Sequence, residues 1–495
     1  MRTRVLLVLI LSLAFASASS AVPNNGKDPT WWDKFQYIAN GGALGAGGAT
    51  QSIAFGTNVD VSNECGPQSE TYITMLNGRV LAGGSNEIFR LPMRAYFSSD
   101  GGKTWGGSDA PLPPPQSPSG VNFGSDPSLA FDTKGTLFYS YIVVHFSKGF
   151  SAINGTQMAV ARSTDGGRTW PDALATFFFF SGGKDHFNDK PMITTDRNAG
   201  SRFRDRVYLA WDAASGGSPT GGGILVATSK DGGDTYGVVR ADDPHGPGRS
   251  IGAVPFVGPK GELYVAWNDF AANTIAFASS FDGGASFTPQ IVISPKTIPF
   301  DAGIPAEFVR RALVYPACDA DRSSGPNRGR LYCSWMDVGE MGTDIFLSTS
   351  DDQGASWSAA RAVGDRLPFP VDRFNQWLAV DPVTGQLVIA FYDTRNDTTG
   401  QRFGTDIFLA RSEDGGATFG PDIRVSTASS NEHDCDGVFP CRAINYGNQQ
   451  GDYAGVASFG GVAHPLWTDS RVNLDPAPGC STGIKMEEVF TAAVK

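Results

Sequence analysis

Ser98-Ser99-Asp100-Gly101-Gly102-Lys103-Thr104-Trp105 is one of six related octapeptides, the other five carrying Asp165, Asp231, Asp282, Asp352 and Asp414. Successive aspartates are 65, 66, 51, 70 and 62 residues apart. Such spacing marks one supersecondary unit used repeatedly, so repeat architecture governs the fold. A short β-type run precedes each octapeptide, such as Met158-Ala159-Val160-Ala161-Arg162, and another follows, such as Ile423-Arg424-Val425-Ser426. Each octapeptide is therefore a hairpin tip. Its glycines supply positive φ, its Asp accepts backbone N–H groups within the turn, and its aromatic residue packs back on the sheet. The six aspartates read as turn-formers rather than catalysts, because every copy has the same local task.

Upstream of each turn lies a second pair of strands. Leu137-Phe138-Tyr139, Val207 to Trp211, Leu263 to Trp267, Leu331 to Trp335 and Leu387 to Phe391 are short, rich in aromatic and branched residues, and bounded by turn residues. With Arg79-Val80-Leu81 and Ala463 to Trp467 they number seven, one more than the turns. Four strands per unit and seven units predict an all-β, seven-bladed propeller of four-stranded blades; six blades is the alternative. The last unit is one strand short. Asn58-Val59-Asp60-Val61-Ser62 resembles the fourth strands and is expected to complete it, closing the ring and leaving no long open edge.

Composition suits an exported β protein. Met1 to Arg4 is basic, Val5 to Ala16 is apolar but too short to span a bilayer, and Ala16-Ser17-Ala18 offers a cleavage site. The expected organisation is a signal peptide at 1–21, a flexible segment at 22–50 and one propeller domain at 51–495, secreted to an extracellular or periplasmic location. A net charge of −11 with no basic run argues against nucleic acid or anionic membrane, and no membrane span is expected. A monomer is expected. Six cysteines read as disulfides, with Cys318 and Cys333 flanking a hairpin, Cys435 and Cys441 bracketing a loop, and Cys65 and Cys480 joining the chain ends. Five scattered histidines give no zinc motif, and no metal or cofactor is expected. Asp319 to Ser323 lacks the glycine and distant glutamate of an EF-hand loop.

The Ser-x-Asp-x-Gly-x-Thr-Trp turn resembles the Asp box of sialidase-like propellers, the bacterial neuraminidase repeat, over most of the chain. That resemblance implies a glycan or glycoconjugate as partner. Sialidases carry three arginines for a substrate carboxylate, a Tyr nucleophile paired with Glu, and an Asp acid/base. Phe89-Arg90-Leu91-Pro92 matches the family's first arginine motif in letters, but it stands ten residues before Asp100, beside the third strand of blade one, and the family has six blades.

Because the turns join strands three and four, ligand groups are expected on the opposite face, where strand one starts and strand two ends. There stand Asp393 with Arg395, Asp469 with Arg471, and Asp452 with Tyr453, together with Arg373 and Lys190. As a site, Asp393, Asp469, Asp452 and Tyr453 are the catalytic candidates, and Arg395, Arg471, Arg373 and Lys190 the substrate binders. The Asp–Arg pairs read equally as ion pairs between blades. His186, Lys190 and a tyrosine would also suit proton abstraction by a lyase. Two functions follow: a secreted carbohydrate-active enzyme, a glycoside hydrolase on an acidic glycan, or a non-catalytic propeller that binds glycan or protein.

Overall fold

The computed structural model describes residues 34, 51–64, 67–88, 90–147, 153–182, 186–215, 223–243, 250–307, 311–433, 450–471 and 487–495. Seven antiparallel sheets form the blades. In order from the axis outward, blade one holds Gln68–Met75, Leu81–Glu87, Arg94–Ser98 and Gly106–Asp109, and blade two Val121–Phe131, Leu137–Phe146, Ile153–Ser163 and Ala175–Gly182. Blade three holds His186–Thr195, Val207–Ser215, Ile224–Ser229 and Gly237–Arg240, and blade four Ser250–Val257, Leu263–Asp269, Thr274–Ser280 and Ile291–Pro295. Blade five holds Ala317–Ala320, Leu331–Val338, Thr343–Ser350 and Arg361–Ala362, and blade six Arg373–Val380, Leu387–Asp393, Gly404–Ser412 and Ile423–Arg424. Each innermost strand contacts the next, and that of blade seven contacts that of blade one, which closes the ring at seven blades.

Blade seven is built from both ends of the chain. Gly455–Phe459, Val462–Asp469 and Glu488–Thr491 are followed outward by Asn58–Asp60, with Val59 opposite Thr491 and Asp60 opposite Phe490. The closing strand is the one expected from sequence. A fifth strand, Ile53–Phe55, adds outside it, and a hairpin of Asp301–Ala302 with Ala312–Leu313 lies between blades four and five. Neither was expected, because two or three paired residues leave no periodic pattern.

The second strands explain how the blades pack. Their fifth residues are Ser85, Tyr141, Trp211, Trp267, Trp335 and Phe391 in blades one to six, with Trp467 the sixth residue in blade seven, and the four tryptophans are fully buried. Blade one is the exception. A Cβ at Gly84 would stand 2.5 Å from the Tyr139 hydroxyl, which donates to the Arg94 carbonyl at 2.8 Å and so bonds blade two to blade one.

All six hairpin tips share the same core of hydrogen bonds: the N–H and hydroxyl four residues after the Asp donate to its carboxylate, and the N–H two residues after it donates to the Ser hydroxyl. The turns of Asp100, Asp165 and Asp282 add a bond from the residue three after the Asp. In the first, Asp100 Oδ1 accepts the backbone N–H of Lys103 at 3.0 Å and of Thr104 at 3.1 Å, its Oδ2 accepts the Thr104 hydroxyl at 2.6 Å, and the Ser98 hydroxyl accepts the Gly102 N–H. Gly101 and Gly102 take φ of 80° and 78°, where a side chain would be strained. Of the disulfides expected, Cys318–Cys333 joins directly paired residues of blade five; the other four cysteines lie outside the described residues. No helix among the described residues is long and apolar enough to cross a membrane.

Candidate active site

The innermost strands of blades one, two, three, four and six lose register with their neighbours at one equivalent place: after Ser69, Ser125, Asp189, Ile251 and Phe374. The next residue in each has positive φ: Glu70 at 54°, Asp126 at 62°, Lys190 at 45°, Gly252 at 71° and Asn375 at 46°. Four of the five are not glycine. A bulge re-aims a side chain, and a left-handed non-glycine residue costs about 1–2 kcal/mol. Strain repeated at one level of the ring points to function at that level.

There the side chains gather round Lys190. Its Nζ stands 3.4 Å from the centre of the Tyr453 ring, 4.2 Å from that of Tyr315 and 5.7 Å from that of Trp377, and 4.0 Å from Met192 Sδ. The ammonium is thus held by aromatic faces. Gly252 makes room for this cage, since a Cβ there would lie 2.0 Å from the Tyr315 ring.

Carboxyl groups surround the cage. The Lys190 N–H donates to Asp126 Oδ2 at 3.1 Å and to Asp189 Oδ1 at 3.0 Å, and Asp189 is hydrogen-bonded to Asp126. Asn86 accepts the Asp126 N–H at 2.9 Å and donates to the Glu70 carboxylate. Asp212 Oδ1 accepts the Gly252 N–H at 3.3 Å, while its Oδ2 and the Asn375 Oδ1 are buried without a partner. The Tyr453 hydroxyl donates to the Pro127 carbonyl at 3.4 Å. Burial, partly offset by Glu70, Asp126, Asp452 and Asp212, brings the Lys190 ammonium down to about 8. Burial raises Asp212 to about 8, and desolvation with the charges of Asp126 and Asp212 raises Asp189 well above the carboxylate range. Tyr453 is also pushed well up by burial and then by Glu70, so its phenol stays protonated at neutral pH. A carboxyl held protonated in this way can act as a general acid.

Lys190, Asp452 and Tyr453 are therefore brought together, and the other sequence candidates are placed elsewhere. Arg373 donates to Asp393 at 2.9 Å, Asp344 at 2.8 Å and the Asp365 carbonyl at 2.6 Å, and Arg395 donates to Asp393 at 2.7 Å and Asp422 at 2.6 Å. These groups join blade five to blade six. Arg471 makes two bonds to Asp469, at 2.8 and 2.6 Å, and others to Thr427 and Asn58, joining blade six to blade seven. Sequence reasoning did not count Glu70, Asp126, Asp189, Asp212, Tyr315 or Trp377 among the site residues. Aligning the innermost strands would have found Glu70 and Trp377; Tyr315 stands before the first strand of blade five. Among the described residues no group of three or more His, Cys, Asp or Glu side chains is arranged to hold a metal ion.

No protein-family model and no curated protein matches the sequence. Solved structures do. A Hadza microbial sialidase is 17% identical over 66% of this chain and 63% of its own, less than two thirds of its length, with a TM-score of 0.44. The intramolecular trans-sialidase of Ruminococcus gnavus is 12% identical over 70% of this chain and 93% of its own, with a TM-score of 0.45. The chain resembles the sialidase-like propellers in fold. An α-L-arabinanase of Penicillium chrysogenum is similar as well, at 14% identity over 75% of this chain and 93% of its own, with a TM-score of 0.42.

Proposed function

We propose that the protein is a secreted carbohydrate-active enzyme that cleaves a glycosidic bond at the axial cluster. The observation that carries this reading is the convergence of a hydrogen-bonded carboxyl pair, Asp126 and Asp189, with Lys190, all placed by the bulges of blades two and three, and with Tyr453, which precedes the first strand of blade seven. The raised carboxyl of Asp189 serves as general acid toward the leaving oxygen. Asp452 adds negative charge beside the cage, which suits a cationic transition state. The axis holds one ammonium against five carboxyl groups, so a sugar without negative charge fits it better than an acidic one. Recognition of an acidic glycan would rest on Arg395 and Arg471, whose present partners are Asp393, Asp422 and Asp469. The Cys318–Cys333 disulfide supports export.

The burial of Lys190 and Tyr453, each 2% exposed, favours a second reading, a non-catalytic propeller whose axial cluster locks the ring. Turnover on a panel of neutral, uronic-acid and sialylated glycans separates the two. In the enzyme, Tyr453→Phe and Asp189→Asn lower kcat at least about 100-fold while the far-ultraviolet spectrum is unchanged. Absence of turnover on every substrate, or turnover untouched in both variants, overturns the proposal.

A further inference from the structure

At the other end of the axis, on the face of the repeated turns, the channel widens into a cavity of about 750 Å³. Its floor is Trp377 and Tyr72, in edge contact with ring centroids 5.5 Å apart, and its charged lining is Arg197, Lys260, Arg322, Arg328 and Asp319. Four cations against one carboxylate stand in a chain whose net charge is −11. Their mutual repulsion would disperse them unless something held them there.

Two matching loops do so. Between strands one and two, the connections of blades one, two, four and six are short turns, as in Asp132 N–H to Thr136 O at 2.9 Å. Blades three and five instead carry Asp196 to Arg206 and Asp321 to Arg330, which begin alike as Asp-Arg and end alike in arginine. Their bonding is the same: Asp196 to Arg206 O and Asp205 to Asp196 O in one, Asp321 to Arg330 O and Gly329 to Asp321 O in the other. Both loops clasp the turn of blade four, through Asn198 to Gly258 O at 2.9 Å and Arg328 to Pro259 O at 3.4 Å. One blade apart on either side of Lys260, they deliver Arg197 and Arg322 to the same mouth.

Arg197 crosses from blade three to blade one, donating to Met75 O at 2.8 Å and Leu76 O at 2.6 Å. Among the described residues it has no carboxylate partner. The nearby Asp132 carboxylate is occupied by the N–H groups of Lys134 and Thr136, and Asp319 by Arg322 at 3.2 Å and the Val380 N–H at 3.0 Å. Burial and then the charge of Arg322 bring Arg197 down to about 10, so two guanidinium groups repel one another across an opening large enough for a sugar. An oxyanion between them relieves the repulsion and pairs both.

We infer that this mouth is an oxyanion-binding site, taking a sugar-sized ligand whose phosphate, sulfate or carboxylate sits between Arg197 and Arg322, with Lys260 and Arg328 on the rim. The site is distinct from the axial cluster, yet Trp377 is shared, as floor of the cavity and wall of the Lys190 cage.

Calorimetric titration of the full chain at low salt with inorganic phosphate, sulfate, glucose 6-phosphate, glucuronate and glucose tests this. At least one charged probe binds and glucose does not, and comparison of glucose 6-phosphate with glucuronate distinguishes the phosphorylated from the carboxylated ligand. Arg322→Gln weakens binding at least about tenfold, as expected for a lost charge-assisted bond. Should Arg197→Gln fail to fold for want of its bonds to blade one, Lys260→Gln on the rim remains informative, with several-fold weakening expected. Failure of every charged probe to bind, binding of glucose as tight as that of the charged sugars, or equal binding in the wild type and an Arg322→Gln, Lys260→Gln double variant overturns the inference.

Discussion

Lys190 shows how a single residue takes its character from its surroundings. Three aromatic rings hold its ammonium, and carboxyl groups ring it at greater distance. Replacing it with Met keeps the length but leaves Glu70, Asp126, Asp212 and Asp452 without their cation. The variant should lose about 3–5 kcal/mol, the range found on removing one partner of a buried pair, at pH 7, below the value of about 8 at which the Lys190 ammonium gives up its proton. The loss should shrink at pH 5, because carboxyl groups raised in the folded state bind protons there and no longer need compensation. Urea denaturation at the two pH values measures this, and an equal loss at both would disprove the electrostatic account. Tyr453 and Lys190 were visible in the sequence as polar or aromatic residues at strand starts. What was not visible is that the chain bends at Glu70, Asp126, Lys190 and Asn375. Those positions share a backbone shape and no letter, so only the register of the paired strands reveals them.

The hairpin tip was the most legible element, because its geometry demands particular residues: hydroxyl, carboxylate and glycine at fixed offsets. Hydrogen bonds from the Thr235 hydroxyl, then the Thr235 N–H and then the Ser229 hydroxyl hold the Asp231 carboxylate down to about 2; at Asp282 burial acts upward, but bonds from Ser286 and Ser280 outweigh it and leave the carboxylate at about 2. A carboxylate depressed in the folded state contributes stability that is complete above its unfolded value near 4 and is lost as pH falls through 2. Acid unfolding should therefore steepen between about pH 4 and 2. Asp231→Asn, which removes one such group, should flatten that slope while lowering the melting temperature at pH 7. Circular dichroism melts across this range check both signs. Packing inside the blades was legible too, through the aromatic fifth residue of the second strand. Trp335→Ala should cost about 3–5 kcal/mol by leaving a cavity between blades, measured by chemical denaturation.

At the scale of the whole molecule, the ring depends on a seam. The N–H of Val61 donates to Val489 O at 2.7 Å and the Ser62 hydroxyl to Glu488 at 2.6 Å, and Phe55 packs on Phe490 with ring centroids 5.6 Å apart. Asn58, fully buried, uses both ends of its amide: it donates to Val425 O at 2.9 Å and accepts from the Thr427 N–H at 2.7 Å and from Arg471 at 3.1 Å. One side chain thus ties the closing strand to blade six and fixes the arginine of blade seven. Two truncations separate the seam from the segment before it. Removing residues 1–50 keeps both outer strands of blade seven, and the protein should elute as the folded full-length chain does. Removing residues 1–62 strips those strands and bares the edge of Glu488–Thr491, a paired strand turned into a template for other chains. That protein should lose cooperative melting and elute as large aggregates. Folding of the shorter chain with an unchanged melting temperature would show that six blades and a fragment suffice, and that the seam is dispensable.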